Sequence, residues 1–196
     1  MRVLIDNGHG AETPGKRSPD GRLLEYAWTR EMAIRLQSRL AELGIESTRI
    51  TPENSDIPLG TRCRRANAEA KKESCILVSL HNDALGNSGK WMTASGWSAR
   101  VSLNASSNSK KLATFLALAA QQMGLKVRKP DATHYYWRQN LAICRDTSMP
   151  AVLVENLFQD SKADVKYLLS ESGKETLCEA LVKGICDYIG IEYDRE

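Results

Sequence analysis

The run Cys75-Ile76-Leu77-Val78-Ser79-Leu80 is apolar at every position except Ser79. A strand with one face in water alternates apolar and polar residues. This one does not, so both of its faces need cover, as they have inside a parallel sheet. Val3-Leu4-Ile5 and Ala151-Val152-Leu153-Val154 are shorter runs of the same kind, and Ile45 to Ile50 alternates like a strand. Between them lie stretches with helical spacing. Trp28, Met32, Leu36, Leu40 and Leu43 form one stripe over about 24–43. A second helix is expected from Leu59 to about Lys71. A third carries Leu112, Phe115, Leu116, Ala119 and Met123 and stops at Gly124, and the last carries Leu177, Leu181, Ile185, Tyr188 and Ile189. Strands that alternate with helices indicate an α/β layer fold with a largely parallel sheet. The remaining expectations are a turn at Gly86 to Gly89, an edge strand over Gly96 to Leu103, a polar and aromatic loop from Lys126 to Asn140, and a strand at Leu141 to Cys144 before a turn at Pro150.

At 196 residues the chain suits a single domain, 1–196, with one sizeable core. No repeat, low-complexity tract or linker interrupts it. The net charge of +3 is too small a surplus to argue for nucleic acid, although it suits a polyanionic surface. Five cysteines, an odd number with no CxxC spacing, read as reduced thiols, and Cys75 and Cys144 sit in apolar runs as core residues. No apolar stretch is long enough to span a bilayer. The first apolar run is too short for a secretion leader. The expectation is a chain trimmed of its leader, exported by another route or retained inside the cell.

Only three histidines are present, and two stand in informative places. In α/β folds ligands gather beyond the carboxyl ends of the strands. His9 follows the first strand between Gly8 and Gly10, His81 follows the strongest strand, and Glu155 closes the run from Ala151. A glycine-rich phosphate loop is the competing reading for His9, but neither GxGxxG nor GxxxxGK[ST] is present. Glu25, in the first turn of the first helix, points the same way as Trp28, Met32 and Leu36. A favourable charge at a helix N-terminus explains an acid there. It does not explain an acid aimed at the core, where an unpaired charge costs several kcal/mol or more. Two histidines and a glutamate make a catalytic zinc set with one open position. Glu155 then remains as a general base beside the metal. The segment His134-Tyr135-Tyr136-Trp137-Arg138 reads as a substrate contact by stacking, with no one residue singled out. His134 has no anchoring strand before it and is not expected to be a ligand.

These residues, in this order, resemble the zinc-dependent N-acetylmuramoyl-L-alanine amidases of the type 3 amidase family. Asp6-Asn7-Gly8-His9-Gly10 is similar to that family's opening Asp-Pro-Gly-His-Gly. Glu25 stands early in the first helix. Arg62 and Arg65-Ala66-Asn67 precede Val78-Ser79-Leu80-His81. Arg145 comes shortly before Met149-Pro150-Ala151-Val152-Leu153-Val154-Glu155, with Phe158 as the following aromatic. The resemblance covers nearly the whole chain. It implies a single-domain, mixed, largely parallel sheet flanked by helices on both faces, a phosphorylase/hydrolase-like fold. It implies one Zn²⁺ ion on His9, Glu25 and His81, and Glu155 as the catalytic acid/base. The implied substrate is peptidoglycan or a muropeptide, cut between muramic acid and L-alanine at the cell wall, by a monomer. A phage or prophage lysin and a trimmed cell-separation amidase both fit. A zinc peptidase cutting within the stem peptide and a catalytically silent wall-binding module remain the alternatives. Three departures stand out: Asn7 in place of proline, His81-Asn82-Asp83 in place of His-Ala-Asn, and Asn156-Leu157 in place of a pair ending in glycine. The stretch from Asp83 to Gly96 is too short for the blocking helix of some regulated relatives, which implies an open groove.

Overall fold

The computed structural model describes residues 1–86 and 89–193. In chain order the elements are β1 (Arg2–Asn7), α1 (Glu25–Glu42), β2 (Ser47–Arg49), α2 (Leu59–Ala70), β3 (Cys75–Asp83), β4 (Ser98–Val101), α3 (Ser107–Gln122), β5 (Tyr136–Arg138), α4 (Ala142–Arg145), β6 (Ala151–Phe158), α5 (Lys162–Leu168) and α6 (Glu171–Ile189). The six strands form one sheet in the order β2-β1-β3-β6-β4-β5. β2, β1, β3 and β6 run parallel, β4 is antiparallel to β6, and β5 is parallel to β4. The sheet is therefore mixed and largely parallel.

Alternation along the central strands builds a core on each side. Val3, Ile5, Ile76, Val78, Leu80, Val152 and Val154 pack with α1, α3 and α6. Leu4, Leu77, Ala151 and Leu153 face the other way and pack with Cys63 and Ala66 of α2 and with Ile143 and Cys144 of α4. Helices on both faces explain why the β3 run is so uniformly apolar. All five cysteines are free and buried within these layers. Serine side chains start three helices: Ser106, Ser161 and Ser170 each accept a backbone N–H from the first turn of α3, α5 and α6.

Four local expectations change. The 96–103 segment is not an edge, because β4 is flanked by β6 and β5. The edge is β5, three residues inside the stretch that reads as loop, too short for alternation to register. Leu141 to Cys144 is not a strand but contributes to the single helical turn α4, since periodicity cannot assign four apolar residues. His81 and Glu155 do not end their strands: β3 runs on to Asp83 and β6 to Phe158. The expected turn at Gly86 to Gly89 includes Asn87 and Ser88, which lie outside the described residues. Among the described residues no helix lies between β3 and β4.

Candidate metal centre

The carboxyl ends of β1 and β3 and the first residue of α1 meet at one point. Glu25 is the first residue of α1, and its side chain is fully buried. Its Oε1 accepts the Asn82 backbone N–H at 3.0 Å, and lies 3.2 Å from His81 Nδ1 and 3.4 Å from His9 Nε2. The two imidazoles meet edge to face with centroids 4.9 Å apart. Each of the three residues offers a donor atom, and these atoms lie within 4.8 Å of one another. Glu25 Oε2 is buried without a hydrogen-bond partner. A buried carboxylate oxygen left unpaired beside two imidazoles is the vacancy in bonding that a divalent cation satisfies, and the N, N, O donor set suits zinc.

The protonation states of His9 and Glu25 agree with this. Burial pushes His9 down to about 4, against the pull of Glu25, so its ring is neutral near pH 7 and free to donate a lone pair. Burial also opposes charge on His81, but the hydrogen bond and charge of Glu25 outweigh it and raise its pKa. Glu25 is itself drawn below its ordinary range. Burial works against its charge, and the His81 hydrogen bond, both imidazoles and the Asn82 N–H overcome it. The positive end of α1 favours the same anion.

Glu155 stands directly beside His81 in the parallel register of β3 and β6. Burial is the main force that raises its carboxyl to about 7; Asp83 and Glu25 push the same way, and His81 and Arg100 oppose them. Its Oε1 is 3.5 Å from Arg100 Nε, and its Oε2 is buried with no partner. Just beyond it the register slips between His81 and Asp83, which aligns Asp83 with Phe158. Leu157 takes up the slack at φ +64°, a left-handed bulge of the type often found beside active sites. That is the position where the family resemblance expects glycine.

Residues that touch neither imidazole hold the first loop in place. His9 adopts φ +58°, unusual for a residue with a side chain. Its carbonyl accepts Arg30 Nη2 at 3.0 Å and Arg62 Nη2 at 3.2 Å. Thr29 Oγ1 donates to the Gly8 carbonyl. A Cβ on Gly8 would lie 2.5 Å from His81 Cε1, and one on Gly10 would lie 2.1 Å from the Asp56 nitrogen, so the loop closes only with glycine on both sides of His9. Arg62 is almost fully buried. It donates to Asp6 Oδ1 at 2.9 Å, to the Ile57 carbonyl at 2.7 Å and to the Asn7 carbonyl. Ser79 donates to the other Asp6 oxygen at 2.6 Å. Asn7, in the place of proline, uses its side-chain amide to donate to the Thr51 carbonyl at 2.7 Å, which ties β1 to the chain after β2. Breaking a buried ion pair from one side leaves an uncompensated charge. Arg62→Ala is therefore expected to cost about 3–5 kcal/mol, read as a lower urea midpoint at constant m-value. A change below about 0.5 kcal/mol, the size of an ordinary surface effect, would show the clamp to be dispensable.

All four chemistry-bearing residues expected from the sequence are thus at one rim, His9, Glu25 and His81 together and Glu155 on the adjoining strand. His134 is remote from them in role: it is exposed and pairs with Asp131. Arg30 carries no signal in the sequence, and Asp6 enters as the first residue of the Asp6-Asn7-Gly8-His9-Gly10 resemblance. Arg62 entered only through the resemblance, although a cation on the Cys63/Ala66 face of α2 was the same signal that marked Glu25. A cavity of about 500 Å³ opens beside the two imidazoles. Ile57, Pro58 and Leu59 line one wall, and Leu141, Ala142, Ile143 and Leu153 the other.

The family model described as N-acetylmuramoyl-L-alanine amidase (Amidase_3) matches residues 3–187. The chain is 26% identical to the N-acetylmuramoyl-L-alanine amidase AmiC of Neisseria meningitidis serogroup B over 221 residues, covering 95% of this chain and 52% of that protein. It is 28% identical to the endolysin of Bacillus phage SPP1 over 195 residues, covering 97% and 66%. The chain thus spans about half to two thirds of the length of these relatives. Among solved structures, the catalytic domain of the amidase CwlV from Bacillus (Paenibacillus) polymyxa var. colistinus superposes with a TM-score of 0.82 at 24% identity, covering 98% of this chain and 99% of that one. An amidase from Clostridium difficile 630 gives 0.84 at 24%, covering 98% of each. At that identity the likeness is one of fold.

Proposed function

This chain belongs to the type 3 N-acetylmuramoyl-L-alanine amidase family, and from that premise we propose that it hydrolyses the amide between the muramic acid lactyl group and L-alanine in peptidoglycan. His9, Glu25 and His81 would hold one Zn²⁺, and Glu155 would be the acid/base. The observation that supports this reading is the pairing of a three-donor cluster with a second buried carboxylate on the adjoining strand, outside that cluster. When bound, zinc supplies Lewis acidity and lowers the pKa of a coordinated water to about 7.

The chain's own residues do the rest. Glu25 brings its charge between the two rings that would share the ion with it, 3.2 Å from His81 Nδ1 and 3.4 Å from His9 Nε2. The neutral His9 needs no deprotonation near pH 7. Glu155, with a pKa raised to about 7, accepts a proton from the attacking water and returns it to the leaving amine nitrogen. A carboxyl poised near the working pH serves both halves of that transfer. The cavity beside the imidazoles, walled by Ile57, Pro58, Leu59, Leu141 and Ile143, leaves room for substrate next to the three donors.

Among the described residues no helix is long and apolar enough to cross a membrane. The names of the relatives, an amidase and an endolysin, support action on the cell wall. Mass spectrometry of peptidoglycan digested by the zinc-loaded protein tests the bond. Intact L-alanine-terminated stem peptides released from glycan are the expected product. Fragments cut within the stem would instead identify a peptidase, and no release at all would identify a silent wall-binding module.

A further inference from the structure

The aromatic segment 134–138 divides between the two faces of the sheet. Tyr135 and Tyr136 pack against the core under α3 and α6. β5 pairs with β4 so that Tyr136 lies beside Ala99 and Trp137 beside Arg100. Alternation therefore sends Trp137 to the opposite face from Tyr136. On β4 and β6, Arg100 pairs with Leu153 and Ser98 with Glu155. Trp137, Arg100 and Glu155 thus share one face, with Trp137 and Arg100 level with Leu153 and Glu155 two residues farther along β6.

That face is built for contact. α3, the helix packed on β4 and β5, lies on the other face. Trp137 is 36% exposed, while its indole N–H donates to the Arg128 carbonyl at 3.2 Å, which fixes the plane of the ring. Arg100 fills the gap between Trp137 and Glu155. It donates to Gln139 Oε1 at 2.8 Å and to Asp83 Oδ2 at 2.5 Å, with its Nε 3.5 Å from Glu155. Two strand spacings, about 10 Å, together with a two-residue offset of about 7 Å along β6, separate Trp137 from Glu155. That is the span of a short saccharide rather than of a single bond. A fixed, open indole offers a flat apolar surface, and planar polar groups beside it offer hydrogen bonds in the plane. A pyranose has the matching character, with a C–H face and a rim of hydroxyls. A peptide seeks backbone partners at the strand edge, and the exposed feature here is a ring on the sheet face.

We propose that Trp137 is the stacking platform for a sugar ring of the glycan strand, a specificity-determining residue for glycan-bearing substrate. The inference rests on the amidase reading above. Its test uses zinc-loaded wild type, Trp137→Ala and Trp137→Phe on two substrates, a muropeptide that carries its glycan and a lactyl-L-alanyl peptide that carries none. For Trp137→Ala, KM on the glycan substrate is expected to rise roughly tenfold with kcat retained. Trp137→Phe should recover most of the loss, and the sugar-free substrate should not distinguish the three proteins. An unchanged KM on the glycan substrate overturns the platform, and so does an equal loss on both substrates, which would point to the stem peptide or to misfolding. Titrating metal-free protein with soluble glycan fragments gives a readout independent of turnover. A saturable change in indole emission that vanishes in Trp137→Phe supports the platform, and its absence in wild type overturns it. Should wild type cleave neither substrate, the amidase reading falls and this titration alone decides.

Discussion

Glu155→Gln is expected to lower kcat on muropeptides by about 10²- to 10⁴-fold, the range of a lost general acid/base, while one equivalent of zinc stays bound. The amide keeps the size of the side chain and its place opposite His81 in the β3–β6 register. It cannot take a proton. Glu155 is not among the three clustered donors, so metal content should not change. Metal analysis on the same sample makes the result decisive: a slow variant with full zinc supports the role, and turnover at the wild-type rate removes it. The sign of the pH dependence follows from the same group. The base must be ionised, so the rate falls as pH drops through its pKa. Burial, with Asp83 and Glu25, raises that value to about 7 against His81 and Arg100. A nearby cation favours the carboxylate and draws the value down. The acid limb of kcat/KM should therefore lie at or below about 7 and disappear in Glu155→Gln.

Glu25→Gln is expected to abolish stoichiometric zinc binding and activity together. The substitution keeps an oxygen that can accept the Asn82 N–H, so the entry of α1 should survive. It removes the charge that two imidazoles face at 3.2 and 3.4 Å. Thermal unfolding separates metal from fold. A ligand that binds only the native state at a hundred times its Kd adds about 2.7 kcal/mol, so zinc should raise the Tm of wild type and leave Glu25→Gln unmoved. A variant that still titrates one zinc at wild-type affinity would show that the acid is not a ligand.

Glu25 was legible in the sequence because a charge in an apolar stripe conflicts with its surroundings, and conflict is informative. His9 and His81 were legible because strands of uniform apolarity announce where the sheet ends. The same logic placed Glu155 at the right rim but mistook its setting. β6 continues past it only because Leu157 adopts a left-handed backbone, and no periodicity reveals that. The clamp was harder to read. Arg30 and Arg62 act on carbonyl oxygens of Gly8, Asn7 and His9, and backbone acceptors carry no residue-specific signature. β5 stayed hidden for a related reason. Its strand character comes from hydrogen bonds to β4, with three residues and no pattern of its own.

The strand order β2-β1-β3-β6-β4-β5 has a consequence for how the molecule comes into being. Arg2 pairs with Cys75, and Leu77 with Ala151, so each central ladder joins segments more than seventy positions apart along the chain. Such distant closures slow folding into the millisecond-to-second range or beyond. During synthesis β3 emerges long before β6 and must wait with an unsatisfied backbone edge and oily flanks, a species prone to self-association. The proposed site spans that same late ladder, with His81 on one strand and Glu155 on the other. A nascent chain thus lacks the complete site until its last sheet partner arrives, and overproduction should favour low expression levels and low temperature.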